Sequence, residues 1–296
     1  LFFVLAAVLL AERNRPTLAW LALVGGCLTR PQMLVFGLLL GIVFLRKFSW
    51  AANVQALSWT VVVTFVLLLP LTLATSPSLP VDVMFHNLRV QEAGGNEAAL
   101  TTVSQDAYSI WPLVTYAVHG TTGLQRAFTP SSGPLIGSLS YQRVSQILTL
   151  GALLLIALTL AFRRGVAEAG NYLPLVTLGM MSFLMLLTGV VATHFLLALP
   201  FLILLRRWIG GVAYFYVVAI WSIAALVPMV GDMGLVVSSA NHPLFAPTTN
   251  AVTRFITALY TSDRFMNVAV VADTAALVWL GLLSLRSTKP ARVEAA

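Results

Sequence analysis

The sequence predicts an all-α integral membrane protein, a polytopic helix bundle, and three observations predict it. Of its 296 residues, 59% are hydrophobic and only 9% charged, where a soluble domain averages about 25% charged. Mean hydropathy is +0.91. Apolar runs recur along the chain at 1–11, 17–29, 33–45, 56–74, 146–162, 172–192, 195–205, 208–230 and 266–285. The formal charge of +7 then reads first as an orientation signal. The basic residues fall in pairs at the ends of apolar runs, with no basic domain, so nucleic-acid binding has no support. The single cysteine, Cys27, lies in an apolar segment, makes no internal disulfide and reads as a small buried hydrophobe.

The first run, "LFFVLAAVLLA" (1–11), is followed by "ERNRP". It lacks a basic n-region and a small-residue cleavage site, which argues against a signal peptide. Eleven residues are too few to span about 30 Å of hydrocarbon. The run reads as the second half of a helix that begins before Leu1, and the chain as the C-terminal part of a longer protein.

Five basic clusters separate the runs: Arg13/Arg15, Arg46/Lys47, Arg163/Arg164, Arg206/Arg207 and Arg286/Lys289/Arg292. The positive-inside rule assigns all five to the cytoplasmic side. The stretch 17–45 therefore starts and ends inside, and "TRPQ" (29–32) breaks it. Each arm, about 13 residues or roughly 20 Å of helix, is short of a full crossing. Pro31 lacks an N–H and disfavours helix at Arg30, so the break has a cause. The stretch 172–205 also has both ends inside, with "GVVATH" (189–194) at its turn and Pro200 in its returning arm. Two short helical hairpins follow, with polar tips at or below the outer surface. Irregular backbone is tolerated there only where protein buries it or a wet cavity meets it. The remaining spans alternate: 56–74 out, 146–162 in, 208–230 out, 266–285 in. The C-terminal "RSTKPARVEAA" becomes a cytoplasmic tail. Two segments lie outside, 75–145 (an external loop of about 70 residues) and 231–265, and both carry mixed charge. No internal repeat or linker is visible, so 1–296 reads as a single transmembrane domain.

Arg30 and Gln32 stand out as polar residues within the first hairpin. An arginine at the centre of a span costs about 2.5–3.5 kcal/mol on insertion scales, and intramembrane ionisable residues are functional by default. One reading is a fixed cation and amide lining an outward cavity and holding an anion. Arginine suits phosphate because its planar fork donates two parallel hydrogen bonds. The other reading is an arginine capping carbonyls at the helix break. His194, at the second tip, reads either as a phosphate donor or proton carrier or as an interfacial histidine bonded to a carbonyl. If both tips point inward, Arg30 and His194 flank one anionic group. Asp106, in "SQDAYSIW", is a weak candidate base or an ordinary loop cap. Tyr108 and Trp111 offer stacking faces for a sugar, or serve as interface anchors. Arg143 stands at the outer mouth of 146–162, where a lipid phosphate or an ordinary headgroup also sits. His86, His119, His242 and Asp82 show no metal-ligand spacing, and no HExxH, CxxC pair, Walker loop or GxSxG occurs. No metal and no cofactor is expected.

Three of these motifs, in order, carry a family resemblance. "GGCLTRPQMLVFGLLLGIVFLRK" resembles the segment that bacterial GT-C glycosyltransferases write as small residues, Thr-Lys-Pro-Gln and an apolar run ending in basic residues, with Arg30 in place of the lysine. "SQDAYSIWPLV" resembles their external Asn-Ala-Tyr-Asn-Leu-Trp-Trp stretch. Ala107, Tyr108 and Trp111 match, and Asp106 stands for the asparagine. "GVVATHFLLALPFLILL" resembles their His-Glu-Arg-Tyr-Leu-Leu-Pro-Ala-Leu-Pro segment in His194 and "LLALP", without the Glu-Arg pair. The resemblance implies a multispan enzyme of the bacterial cytoplasmic (inner) membrane. It implies transfer of a sugar from a polyprenyl-phosphate donor to a glycan, lipid or protein acceptor on the external face, without a metal. It also implies a catalytic aspartate in a first external loop, ahead of Leu1, which leaves the catalytic base unassigned. Arg30, Gln32, His194, Tyr108, Trp111 and Arg143 become the expected substrate contacts. The alternatives are a transporter or flippase for a lipid-linked or anionic sugar, for which broken helices are also expected, and a non-catalytic membrane subunit or polymer-ligase component.

Overall fold

The computed structural model describes residues 1–29, 31–74, 102–104, 107–122, 126, 129–167, 170–190, 192–239 and 251–286. The described chain is overwhelmingly helical. Four helices are long and apolar enough to cross a membrane: Trp50–Pro70, Tyr141–Phe162, Gly211–Gly231 and Asp263–Ser284. Their outward faces carry large exposed apolar side chains, such as Val61, Phe65 and Leu67 on the first and Leu150, Leu154 and Leu155 on the second. In water such surface would be a liability; in a bilayer it is the solvated face.

The contacts divide the chain into two compact units, Leu1–Glu97 with Leu153–Met180, and Ala98–Ala152 with Met181–Ala296. Two of the boundaries fall inside apolar helices, where no change of composition marks them.

In the first unit, α1 (Phe2–Glu12) turns at Asn14, with φ of 52°, into α2 (Pro16–Thr29). A 3-10 turn, Pro31–Met33, leads into α3 (Leu34–Lys47). The helix therefore breaks where Pro31 removes a backbone donor. Arms α2 and α3 run antiparallel: a Cβ on Gly37 would meet Cys27 Sγ at 2.6 Å, and one on Gly41 would meet the Trp20 ring at 3.6 Å. Glycine lets the arms approach, as small residues do wherever helices pack in lipid. Helix α4 (Trp50–Ala74) follows. Its Asn53, fully buried, accepts a hydrogen bond from Trp20 Nε1 at 3.0 Å and donates to Leu45 O and Phe48 O at 3.3 and 3.0 Å. One amide thereby satisfies the end of α3 and fixes α4 on α2.

In the second unit, α5 (Trp111–His119) ends on Gly120, whose φ of 64° provides a left-handed cap. A two-stranded antiparallel hairpin, β1 (Pro134–Ile136) and β2 (Leu139–Ser140), precedes α6 (Tyr141–Phe162). This hairpin and an isolated antiparallel bridge between Thr102 and Pro130 are the β structure among the described residues. The expected outer loop 75–145 thus contains a helix and a hairpin, and α6 starts five residues before the apolar run because Tyr141 is already buried against Trp111, 5.9 Å between rings.

After α7 (Leu173–Leu186), the returning arm expected over 195–205 is segmented. It forms α8 (Ala192–Phe195), α9 (Leu199–Leu204) and a 3-10 turn at Leu205–Arg207. Pro200, in the first turn of α9, fits a helix start and not its interior. The arm's free carbonyls find partners on α10 (Gly211–Ser239): Trp221 Nε1 donates to Phe195 O at 2.9 Å, and Tyr214 OH to Ile203 O at 3.2 Å. Buried irregular backbone is satisfied by protein, as a membrane demands. The expected outer segment 231–265 is also partly helical, since α10 runs to Ser239 and α11 (Ala251–Tyr260) precedes α12 (Asp263–Arg286).

Candidate functional site

Two buried charged side chains stand out among the described residues, Arg126 and Asp273, both fully excluded from solvent and both in the second unit. Arg126 comes from the outer segment and reaches the first turns of α12. Its Nη2 lies 3.0 Å from Asp263 Oδ1 and also donates to Asp263 O at 3.2 Å, while Nη1 donates to Asn267 Oδ1 at 2.8 Å. The guanidinium also rests over the Tyr116 ring, 5.5 Å from its centroid. Its Nε has no partner among the described residues. Burial lowers the Arg126 pKa from its ordinary value, and the Asp263 carboxylate opposes the shift. Asp263 in the first turn of α12 also faces the positive end of the helix dipole, so the pair sits where an acid is favoured.

Tyr108 lies within electrostatic reach of both Arg126 and Asp273. Its ring packs edge-on against Phe265 at 6.0 Å, and its buried hydroxyl has no partner among the described residues. Burial raises the Tyr108 pKa; Arg126 opposes the shift and Asp273 adds to it. The segment carrying Tyr108 is held on both sides: Ser109 Oγ donates to Ser104 Oγ at 3.0 Å, Ile110 N to Met185 O at 3.2 Å, and Val103 N to Thr129 O at 2.8 Å.

Asp273 lies ten residues into α12, on its buried stripe with Met266, Val270, Ala276 and Leu280. Neither carboxylate oxygen has a hydrogen-bond partner among the described residues. Such a group is expensive to keep and marks function more often than stability.

A different face of α12 carries Asn267, Val271, Ala275, Val278 and Leu282, spaced three or four apart and so aligned down one side. The last four, with Ile110 and Leu113 of the α5 region, line a groove of about 450 Å³. It is almost wholly apolar and opens outward, where Val271, Val278 and Leu282 are exposed. The Arg126–Asp263–Asn267 cluster thus caps one end of this stripe, and the apolar groove begins one helical turn, roughly 6 Å, further along. Asp273 faces away from it.

The residues expected from sequence are distributed as follows. Arg30 and Asp106 lie outside the described residues. Gln32, half-buried in the 3-10 turn, belongs to the first unit, and His194, half-buried in α8, to the second. Tyr108 is in the cluster, buried and not presented as a stacking face. Trp111 is a core residue: its Nε1 donates to Leu186 O at 2.8 Å and its ring is packed by Val103, Leu135 and Tyr141. Arg143 is exposed at the start of α6, its backbone N–H donating to Ser140 Oγ at 3.3 Å. Among the described residues no group of three His, Cys, Asp or Glu side chains gathers to hold a metal.

Arg126, Asn267 and Asp273 are the additions that the fold makes. Asp273 carries a sequence signal, a carboxylate alone between Arg264 and Arg286 in an apolar run, and the rule that singles out Arg30 applies to it equally. Comparison of the chain with protein-family models, with curated proteins and with solved structures gives no match.

Proposed function

We propose that this chain is part of a membrane glycosyltransferase that moves a sugar from a polyprenyl-phosphate donor to an acceptor on the external face of the bacterial cytoplasmic membrane. The observation that carries the reading is the ordered stripe on α12, a partly buried polar cap followed by an outward-open apolar groove of about 450 Å³. A polyprenyl-phosphate sugar has the same division, a charged head at the interface and a tail in hydrocarbon. The three motifs in GT-C-like order support it independently.

In this reading the groove takes the first isoprene units. Arg126, neutralised by Asp263, orders the polar cap. The sequence candidates for donors to a leaving phosphate are Arg30 and Gln32 in the first unit and His194 and Arg143 in the second, each taken by itself. A donor aimed at the charge developing on the leaving group contributes about 2–4 kcal/mol. The acceptor hydroxyl needs a carboxylate base, for which Asp106 is the weak candidate in this sequence.

The test is sugar transfer by the intact protein in proteoliposomes, supplied with a polyprenyl-phosphate sugar. Transfer that falls at least about a hundredfold in Arg30→Ala supports the reading, and equal activity in that variant removes Arg30 from it. One observation favours a second reading, a carrier for a lipid-linked or anionic sugar: a carboxylate in the middle of a span, such as Asp273, which has no hydrogen-bond partner among the described residues, is a feature of proton-coupled carriers. Uptake or flipping without sugar transfer decides for the carrier.

A further inference from the structure

The first unit gathers three of the five basic clusters at one end, although they come from segments as far apart as residues 13 and 164. Arg46 Nη1 donates to Leu160 O at 2.6 Å and to Arg163 O at 2.7 Å, which joins the end of α3 to the end of α6. Lys47 Nζ pairs with Glu12 Oε1 at 3.0 Å, which joins the end of α1 to the end of α3, and Tyr172 OH, just before α7, donates to the same oxygen at 2.8 Å. Among the described residues, Glu12 is the carboxylate that pairs with Lys47. Arg13, Arg15 and Arg164 are exposed around this junction, with Arg46 and Arg163 between them.

A second observation fixes the depth. Trp50, 78% exposed, opens α4 three residues after Lys47, and Phe162, 77% exposed, precedes Arg163 at the end of α6. An exposed tryptophan at the end of a spanning helix marks the headgroup level of a bilayer, and Arg163 follows the last apolar ring of α6 directly. The excess cations therefore stand where lipid phosphates are.

We propose that this end of the first unit is a binding site for the headgroup of an anionic membrane lipid, held by Arg13, Arg15 and Arg164 around the Arg46–Lys47 junction. The Arg46 and Lys47 contacts hold three helix ends together, and the outer arginines take the phosphate. Arginine is suited to this because its fork meets two phosphate oxygens at once. The site is independent of sugar transfer.

The test uses the intact protein in mixed micelles of phosphatidylcholine with phosphatidylglycerol, with bound lipid counted by native mass spectrometry. The parent protein retains phosphatidylglycerol in preference to phosphatidylcholine, and the preference weakens as salt is raised. Each basic residue near an anionic surface adds to the attraction, so the triple variant Arg13→Gln/Arg15→Gln/Arg164→Gln binds phosphatidylglycerol at least about tenfold more weakly. Inorganic phosphate at the same concentration does not displace the lipid. Equal retention of the two lipids by the parent overturns the proposal without recourse to any variant. Undiminished retention by a folded triple variant overturns the residue assignment, and displacement by inorganic phosphate overturns the lipid in favour of a soluble anion.

Discussion

The two units treat polar groups in opposite ways. In the first, the buried amide of Asn53 is bonded at both ends, and the charges of Glu12, Arg46 and Lys47 sit at helix ends with partners in place. In the second, Arg126 and Asp273 are wholly buried, and Arg126 Nε, Tyr108 Oη and both Asp273 oxygens have no partner among the described residues. The first unit resembles a scaffold in which these polar groups contribute to helix packing, and Asn171 Oδ1 is its one buried side-chain oxygen without a partner among the described residues. The second keeps polar groups that stability alone would remove, and that concentration of cost is why the candidate site is assigned to it.

The comparison can be broken most readily at Arg126. Arg126→Ala leaves Asp263 and Asn267 without their shared donor. Breaking a buried ion pair costs about 3–5 kcal/mol, but the Asp263 side chain is 37% exposed, so about 2–3 kcal/mol is expected. Thermal and chemical denaturation in detergent measure it, and a neutral result would make the cluster incidental. A smaller loss is expected in the scaffold. Trp20→Phe keeps the packing against Phe44 but leaves Asn53 Oδ1 unpaired, at a cost of about 1–2 kcal/mol. Its rate of sugar transfer should be unchanged, whereas Arg126→Ala should lower it. Arg46→Gln removes a cation from the carbonyls ending α6 and should cost about 0.5–1 kcal/mol; a larger loss would mean that Arg46 does more than cap a helix.

The smallest effect is a pH dependence. Burial raises the Tyr108 pKa, so the folded state favours the neutral phenol. That contribution is fully present below the unfolded tyrosine value, about 10, and is lost as pH rises above it toward the folded value. Tyr108→Phe should therefore flatten the fall in stability above about pH 10. Denaturation curves of the two proteins on the alkaline side, unchanged in slope relative to one another, would show that the hydroxyl ionises as freely as in water.

The long spans were legible from the sequence because each is a run of about 20 apolar residues bounded by charge, and length and hydropathy suffice to find such a run. The break at 30–33 was legible because a proline withdraws a donor. The segmented arm at 192–207 was less so, since its carbonyls depend on Trp221 and Tyr214, which lie in another helix. The cluster around Arg126 was illegible for the same reason: its partners are 137 and 141 residues away. Trp111 read as a stacking face or an interface anchor because its segment is rich in aromatic residues, and only the fold supplies the Tyr141 ring packed against it. Asp273 escapes a reading by run length because one carboxylate leaves the mean hydropathy of its span at 1.8. It is visible to a reading that asks the cost of each charge.

Asp273→Leu separates function from stability in the second unit more directly than any other change. It replaces a buried carboxylate that has no hydrogen-bond partner among the described residues by an apolar side chain, so the variant should be more stable by about 1–3 kcal/mol. If the polar groups are kept for turnover, the same variant should lose sugar transfer from a polyprenyl-phosphate donor in proteoliposomes by at least about tenfold. Denaturation and transfer measured on one preparation give both numbers. A variant more stable and inactive is the predicted result; one that is less stable, or that transfers sugar at the parent rate, would contradict the assignment of the site.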